Sequence, residues 1–408
     1  MSEGLNPYWG GLLGSSCAML EMSLNWCSMG CSYCFANLNS PNRSANAKSI
    51  LGIISDHQNR NTYTAYLLRE KHPIVISNHV DPFADSNAHV ALPILEVLTE
   101  LDLPFTLQTK CGKHGYEALK FIKPTVFYIS IMTMDEDVLR RVEPGAPTAQ
   151  ERFKFIETAR SMGHRVCVGI NPCVPDWIGD PKPLCNTLAG LGVESVWIQP
   201  LHLSNRQIAA MTDRERAAIG ETVLNRARKR RKDPLVQQTL AATRQAALDV
   251  GLAVYDSQQR ERSDYFKPYK ETYKNTFPLM QDFVNYCYDT GKGENDPIYW
   301  EEYRDFFVPK LPQGTFPLRN HIAAVQYQHF WKDYEDKIPK YMTYETLLEI
   351  CWRTQDIVFC PVNTMCFSWA ADCTQEEKLF QYVDKNDRPI LLFRPQGSKS
   401  ILEQWEAW

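Results

Sequence analysis

The stretch Cys27-Ser28-Met29-Gly30-Cys31-Ser32-Tyr33-Cys34 sets three thiols at C-x3-C-x2-C spacing, directly after a short apolar run at Ala18–Leu24. Thiolates so spaced can hold three corners of a [4Fe–4S] cube within one loop and leave the fourth iron open. Structural zinc is the first alternative. It wants four protein ligands, usually two separated Cys or His pairs, and no second pair stands at a familiar distance. Three buried structural thiols are the other alternative, although they would not need a polar, glycine-containing loop.

Outward from this loop, short apolar runs alternate with helical patterns. Further strands are expected at Pro73–Ser77, Pro104–Thr109, Thr125–Ile131, Arg165–Ile170, Val193–Gln199 and Leu252–Tyr255. Amphipathic stretches such as Leu92–Leu101 and Thr148–Met162 lie between them, and Asp213 to Asp249 reads as one or two polar helices. Strand-then-helix repetition implies a parallel sheet, because parallel neighbours need a crossover. The expected class is α/β, a partial (β/α)6-type barrel over residues 1–260. Beyond it the chain turns rich in Tyr, Phe, Trp and Pro and loses its period, so 261–408 is expected to form an aromatic-rich α+β extension carrying substrate or accessory functions.

At 408 residues, with 44% hydrophobic and 23% charged residues, the chain has a globular composition and can bury a sizeable core. A net charge of −4 excludes a strongly basic surface overall. No apolar run is long enough to span a bilayer, and the start lacks a signal-peptide plan, so no membrane partner and a cytoplasmic location are expected, the host's cytoplasm if the protein is viral. Thirteen cysteines, an odd number, in such a compartment point to metal ligands rather than to a disulfide framework.

The cysteine loop and the segments around it resemble the radical S-adenosylmethionine (SAM) superfamily, and within it the spore photoproduct lyase-like branch. The resemblance covers about residues 5–200. Leu5-Asn6-Pro7-Tyr8 with Gly10 is similar to the branch's lead-in, although an insertion separates it here from the cysteine loop. Ser77-Asn78-His79-Val80-Asp81-Pro82-Phe83 resembles its S-x-x-x-D-P segment, Gln108-Thr109-Lys110 its T-K motif, and Glu143-Pro144-Gly145-Ala146-Pro147 with Gln150-Glu151-Arg152 its E-P-x-A-P element. The resemblance implies a [4Fe–4S] cluster on Cys27, Cys31 and Cys34, with SAM chelating the open iron. Tyr33 would then pack over the adenine, Ser77 and Asn78 would lie at the amino-acid end of SAM, Lys110 would meet its carboxylate, and Ser130 would contact the nucleoside. Each has a plainer reading: Asn78 and Asp81 as helix caps, Lys110 as a solvated lysine, Ser130 bonded to its own sheet.

The resemblance departs at one place. Spore photoproduct lyase keeps a hydrogen-donating cysteine beside the SAM-contacting serine, and Ile76-Ser77-Asn78 offers none. Photolesion repair is therefore not expected. Cys111, directly after Thr109-Lys110, is the candidate catalytic thiol that would replace that donor, with a buried filler thiol as its alternative.

In the second half, Arg226 to Lys232 carries six positive charges in seven residues, a run that could track phosphates or be a solvated helix face. Cys351, Cys360, Cys366 and Cys373 could hold an auxiliary cluster but match no known spacing, so buried thiols are the favoured reading. Tyr299, Trp300, Trp331, Trp352 and Trp369 could stack on bases or form core. The expected function is a radical SAM enzyme of isomerase or lyase type. It would cleave SAM reductively and abstract hydrogen from a modified nucleic-acid base, such as a hypermodified thymine rearranged in DNA. Chemistry on a small metabolite or peptide side chain is the alternative, and a non-enzymatic iron–sulfur sensor the third reading. The expected partners are a reductant protein of flavodoxin or ferredoxin type, and DNA.

Overall fold

A computed structural model describes residues 5–7, 20–22, 24, 26–34, 46–60, 63–69, 71, 73–77, 80–203, 205–229, 233–255, 280–310, 343–354 and 378–396. Backbone contacts divide the chain into two compact units, residues 22–55 with 75–259, and residues 1–21 with 56–74 and 260–408. Two short strands, β1 (Leu5–Pro7) and β2 (Leu20–Met22), come before the cysteine loop in sequence.

The unit containing that loop is an α/β sheet. Its strands are β3 (Ile74–Ile76), β4 (Phe105–Thr109), β5 (Val126–Ser130), β6 (Arg165–Cys173), β7 (Ser195–Pro200) and β8 (Ala253–Tyr255), side by side in chain order. The pairs from β4 to β8 are parallel, with Gln108 opposite Tyr128 and Ser130 opposite Gly169. Among the described residues the row is open and no pairing closes it into a barrel. Helices supply the crossovers, and the strands are buried along nearly their whole length, which is why they read as continuous apolar runs. At Gly169 a Cβ would lie 1.9 Å from the Tyr128 hydroxyl of the neighbouring strand, so only glycine fits there.

Capping chemistry fixes the helix starts. Thr148 and Glu151 form a reciprocal capping box before Ala149–Ser161, and Thr212 with Glu215 does the same before Asp213–Ile219. The polar region expected as one or two helices is three: Asp213–Ile219, Glu221–Lys229 and Pro234–Asp249. Gly220, at φ 88°, ends the first, while Asp233 caps the third just ahead of Pro234. The expected strands lie within two residues of the observed ones, except that β6 runs on to Cys173.

The other unit contains an antiparallel sheet, β9 (Pro297–Ile298), β10 (Leu379–Val383) and β11 (Pro389–Phe393), in the order β10-β11-β9. Several of its described aromatics make core. Tyr303 packs tilted 4.6 Å from Phe307 and 5.1 Å from Trp352, Trp300 lies 5.8 Å from Trp352, and the Trp352 indole donates to the Pro389 carbonyl. Trp300 and Trp352 thus pack against neighbours instead of forming a stacking platform, and Tyr299 lies under the Arg388 guanidinium. Trp331 and Trp369 lie outside the described residues, as do Cys360, Cys366 and Cys373; Cys351 falls on the helix Tyr344–Thr354. No described helix is long and apolar enough to cross a membrane.

At the start of β6, His164 is buried, and its Nδ1 accepts from the Thr125 amide at 3.1 Å. Accepting there requires the neutral ring, and burial lowers the His164 pKa to about 4. The unfolded chain therefore binds this proton more readily, and the His164 contribution is lost as pH falls from about 6.5 towards 4. Denaturant titrations should show stability falling in that window, with His164 supplying at most about 1.4 kcal/mol per pH unit. His164→Gln should flatten the slope by that amount; an unchanged slope would contradict the assignment.

Candidate functional site

The cysteine loop is gripped from two sides. On one, Ser86 Oγ donates to the Trp26 carbonyl and accepts from the Ser28 amide, while Asn87 Nδ2 bonds the carbonyls of Trp26 and Asp81. On the other, the Ser32 amide donates to the Val142 carbonyl and the Gly145 amide to the Met29 carbonyl. Cys27, Cys31, Tyr33 and Cys34 pack in one cluster with Met29, Ala84 and Ala146.

Burial pushes the Cys27 thiol up to about 11, with the Asp81 carboxylate adding to the rise. Cys31 is raised well above its ordinary value, again by burial first, while Lys110 pulls it down and Glu143, Cys34 and Cys27 push it up. With their pKa values raised, the Cys27 and Cys31 thiols are poor thiolates until a cation joins them, and metal binding reverses that balance. Among the described residues no three His, Cys, Asp or Glu side chains are gathered as for a single ion.

Asp81 does not cap a helix. Its carboxylate accepts from the Phe83 amide, the Thr109 hydroxyl and the Lys110 amide, tying the loop after β3 to the end of β4. Lys110 is no solvated lysine either. Its ammonium bonds Glu143 Oε1 at 3.0 Å, Ser130 Oγ at 3.0 Å and the Tyr33 hydroxyl at 3.2 Å, which uses all three of its protons. Ser130 Oγ also donates to the Asn171 carbonyl.

Glu143 holds the group together. It accepts from the Tyr33 hydroxyl, from Lys110, and from Arg152 Nη2 at 2.5 Å. Burial alone would raise its carboxyl, yet the two cations hold it down at about 2. Arg152, fully buried, also bonds the carbonyls of Pro147 and Ser130. Lys110 and Arg152 thus stand against two buried carboxylates, Glu143 and Asp81. Because Arg152 stays on Glu143, Lys110 can turn to an incoming carboxylate without stranding that one.

Buried side-chain atoms of this unit without a hydrogen-bond partner include the Ser77 hydroxyl and the Trp177 indole N–H, beside Asn87 Oδ1 and Glu136 Oε2. An orphaned hydroxyl at the end of β3 suits a residue that waits for a ligand. Cys111 is buried at φ 66°, its amide bonded to Thr109 Oγ1. Asn78 lies outside the described residues. Sequence reasoning had quoted Glu143 and Arg152 only as motif letters and missed Trp177, whose ring centroid lies 5.9 Å from that of Tyr33.

Residues 23–178 match the family model described as the Radical SAM superfamily. The segment holding the cysteine loop and its clamps is a radical SAM domain, of a superfamily whose enzymes use a [4Fe–4S] cluster and SAM. A curated relative, "Uncharacterized protein ORF301" of Acidianus two-tailed virus, is 25% identical over 138 residues, which is 32% of this chain and 46% of that protein. The match therefore spans about half of its length. Among solved structures, a spore photoproduct lyase variant with a dinucleoside spore photoproduct is 14% identical with TM-score 0.41, covering 59% of this chain and 77% of that one. Streptococcus suis SuiB bound to S-adenosylmethionine is 14% identical with TM-score 0.30, covering 47% of this chain and 38% of that one.

A Cβ on Gly145 would stand 2.7 Å from the Ser28 carbonyl oxygen and 2.9 Å from Met29 Cα, both backbone atoms. Gly145→Ala must therefore push the cysteine loop. We expect a stability loss of about 1–3 kcal/mol and a fall of more than about half in iron retained after anaerobic reconstitution. Wild-type iron content in a folded variant would show that the close approach does not position the thiols.

Proposed function

We propose that Cys27, Cys31 and Cys34 hold the cluster and that Tyr33, Ser77, Asn78, Lys110 and Ser130 form the SAM site of an enzyme acting on a nucleic-acid base. The observation that carries the first part is the meeting of the three thiols with Lys110, Ser130 and Glu143 at the carboxyl ends of successive parallel strands, where α/β folds place their chemistry. Cys27, Cys31 and Cys34 would hold the cluster, which would supply the electron for reductive cleavage of SAM and so the hydrogen-abstracting chemistry of the site. The electron comes from a flavodoxin- or ferredoxin-type protein.

The chain's own residues orient and shield. Lys110 exchanges one of its present acceptors for the methionine carboxylate, and the Tyr33 hydroxyl, uncharged and the longest of the three, is the one given up. Ser77 Oγ accepts or donates without first breaking a bond. Arg152 keeps Glu143 ionised throughout, so Tyr33 stays anchored.

The substrate reading rests on the photoproduct lyase-like segments and on the basic helix Glu221–Lys229. Arg226 of that helix pairs with Asp176 and Arg228 with Glu221 at 3.1 Å, which among the described residues of the run leaves exposed Lys229 to meet a phosphate; Arg230, Arg231 and Lys232 lie outside the described residues. The serine without a neighbouring cysteine favours rearrangement, with hydrogen returned by the cofactor's own product, over repair. Cys111 is the one thiol near Lys110 that would otherwise donate, and in the rearrangement reading Cys111→Ala leaves turnover intact.

Cys27→Ala, Cys31→Ala and Cys34→Ala should each abolish the anaerobic absorption near ~400 nm of a bound iron–sulfur centre; stoichiometric zinc in place of iron would overturn the assignment. Lys110→Ala should weaken SAM binding about ten- to a hundredfold, and Ser130→Ala less, with iron content unchanged. Replacing Arg228, Arg230 and Arg231 with Gln should lower DNA affinity and flatten its salt dependence by about one counterion per lost contact. If a peptide or small metabolite stimulates SAM cleavage and no oligonucleotide or nucleotide does, the nucleic-acid reading is wrong.

A further inference from the structure

Trp177 sits on the four-residue helix Pro175–Ile178 that follows β6, only 2% exposed. Its indole N–H is buried without a hydrogen-bond partner. A buried donor left unpaired destabilises the fold, and a phenyl ring in its place would remove that cost. Its presence calls for an acceptor that arrives with a ligand.

The neighbours of this helix indicate which ligand. On one side the Trp177 ring leans on Tyr33 of the cysteine loop, the planes inclined by 40°. On the other, Asp176 pairs with Arg226 at the head of the basic run. One short helix therefore touches both the loop proposed to hold the cluster and the helix proposed to meet phosphates. The residues proposed for SAM stand on the cysteine loop and at the ends of β3, β4 and β5, whereas Trp177 follows β6.

We propose that Trp177 is a substrate-recognition residue whose indole N–H takes a ring carbonyl oxygen of a pyrimidine base. The inference rests on the nucleic-acid reading above. The N–H lies in the indole plane, so the base meets the ring at its edge and is recognised by a hydrogen bond, not by stacking. Thymine and uracil carry carbonyl oxygens at two ring positions, and adenine carries none.

The test uses the full chain, reconstituted anaerobically, with single-stranded oligo-dT as probe and oligo-dA as comparison. Trp177→Phe should raise the oligo-dT dissociation constant about fivefold, with a smaller effect on oligo-dA. SAM affinity should stay within about twofold; the phenyl variant is smaller and leaves a cavity, so the ligand-free thermal midpoint is read on the isosteric benzothiophene variant, where it should not fall, since no bond is lost in the free protein. Replacing the indole by benzothiophene, which keeps the bicyclic shape and lacks the N–H, should reproduce the affinity loss and so covers the case in which the phenyl variant folds poorly. Unchanged oligo-dT affinity in both variants overturns the inference while leaving the nucleic-acid reading in place. A loss of SAM affinity instead assigns the N–H to the cofactor and equally overturns it. If the wild-type chain binds no oligonucleotide, the nucleic-acid reading falls and this inference with it.

Discussion

The buried pairing of Glu143 with Arg152 is the constraint from which the rest of the site hangs. An ion pair with both side chains withdrawn from water repays its desolvation only when every remaining donor and acceptor is satisfied. Here that condition is met by atoms that also define the site. Arg152 spends its other protons on the carbonyls of Pro147 and Ser130, fixing the turn after the glutamate to the end of β5. Glu143 spends its remaining lone pairs on Tyr33 and Lys110. Satisfying one salt bridge thereby sets the positions of the loop aromatic, the lysine and the serine.

The cysteine loop depends on the same segment through its backbone. Val142 and Gly145 bracket Glu143, and each bonds the loop, one at Ser32 and one at Met29. The glycine allows main chain to lie against main chain. Asp81 performs a comparable task from the opposite side, binding β4 through Thr109 and Lys110 while its own carbonyl is held by Asn87, which also holds Trp26. The loop is thus positioned by bonds to elements distant in sequence, consistent with its lack of helix or strand of its own.

Much of this architecture is legible in the sequence. Apolar runs interrupted by amphipathic segments gave the parallel sheet, since strands buried on both faces must read as unbroken apolar stretches. The cysteine spacing and the Lys110 and Ser130 motifs pick out side chains that the fold brings together around Tyr33 and Glu143. Asp81 and Glu143 were less readable. A carboxylate in a motif looks the same whether it caps a helix or neutralises a buried lysine, and only the fold brings Glu143 within reach of Lys110, 33 positions earlier in the chain. Trp177 gave no signal at all, because an aromatic after a strand is ordinarily core, and what sets it apart is an N–H without an acceptor. The aromatics of the second half show the reverse case, with Trp300 and Trp352 packed as core.

The charge arrangement also constrains how a cofactor carboxylate is received. Lys110 and Arg152 already face Glu143, and Asp81, whose pKa burial raises, lies behind them, so in the proposed SAM site an incoming carboxylate would call for a lysine that can change partners. Arg152 cannot serve, since its guanidinium is locked on three sides. Lys110 can, because its ammonium is a compact point charge on a flexible stem, and one of its three acceptors, the Tyr33 hydroxyl, is uncharged and independently secured by Glu143. Losing that bond leaves no carboxylate unpaired and no hydroxyl without a partner. The pairing of a fixed arginine with an exchangeable lysine on one glutamate therefore lets these four side chains satisfy one another and still leaves the lysine able to turn to an anionic ligand.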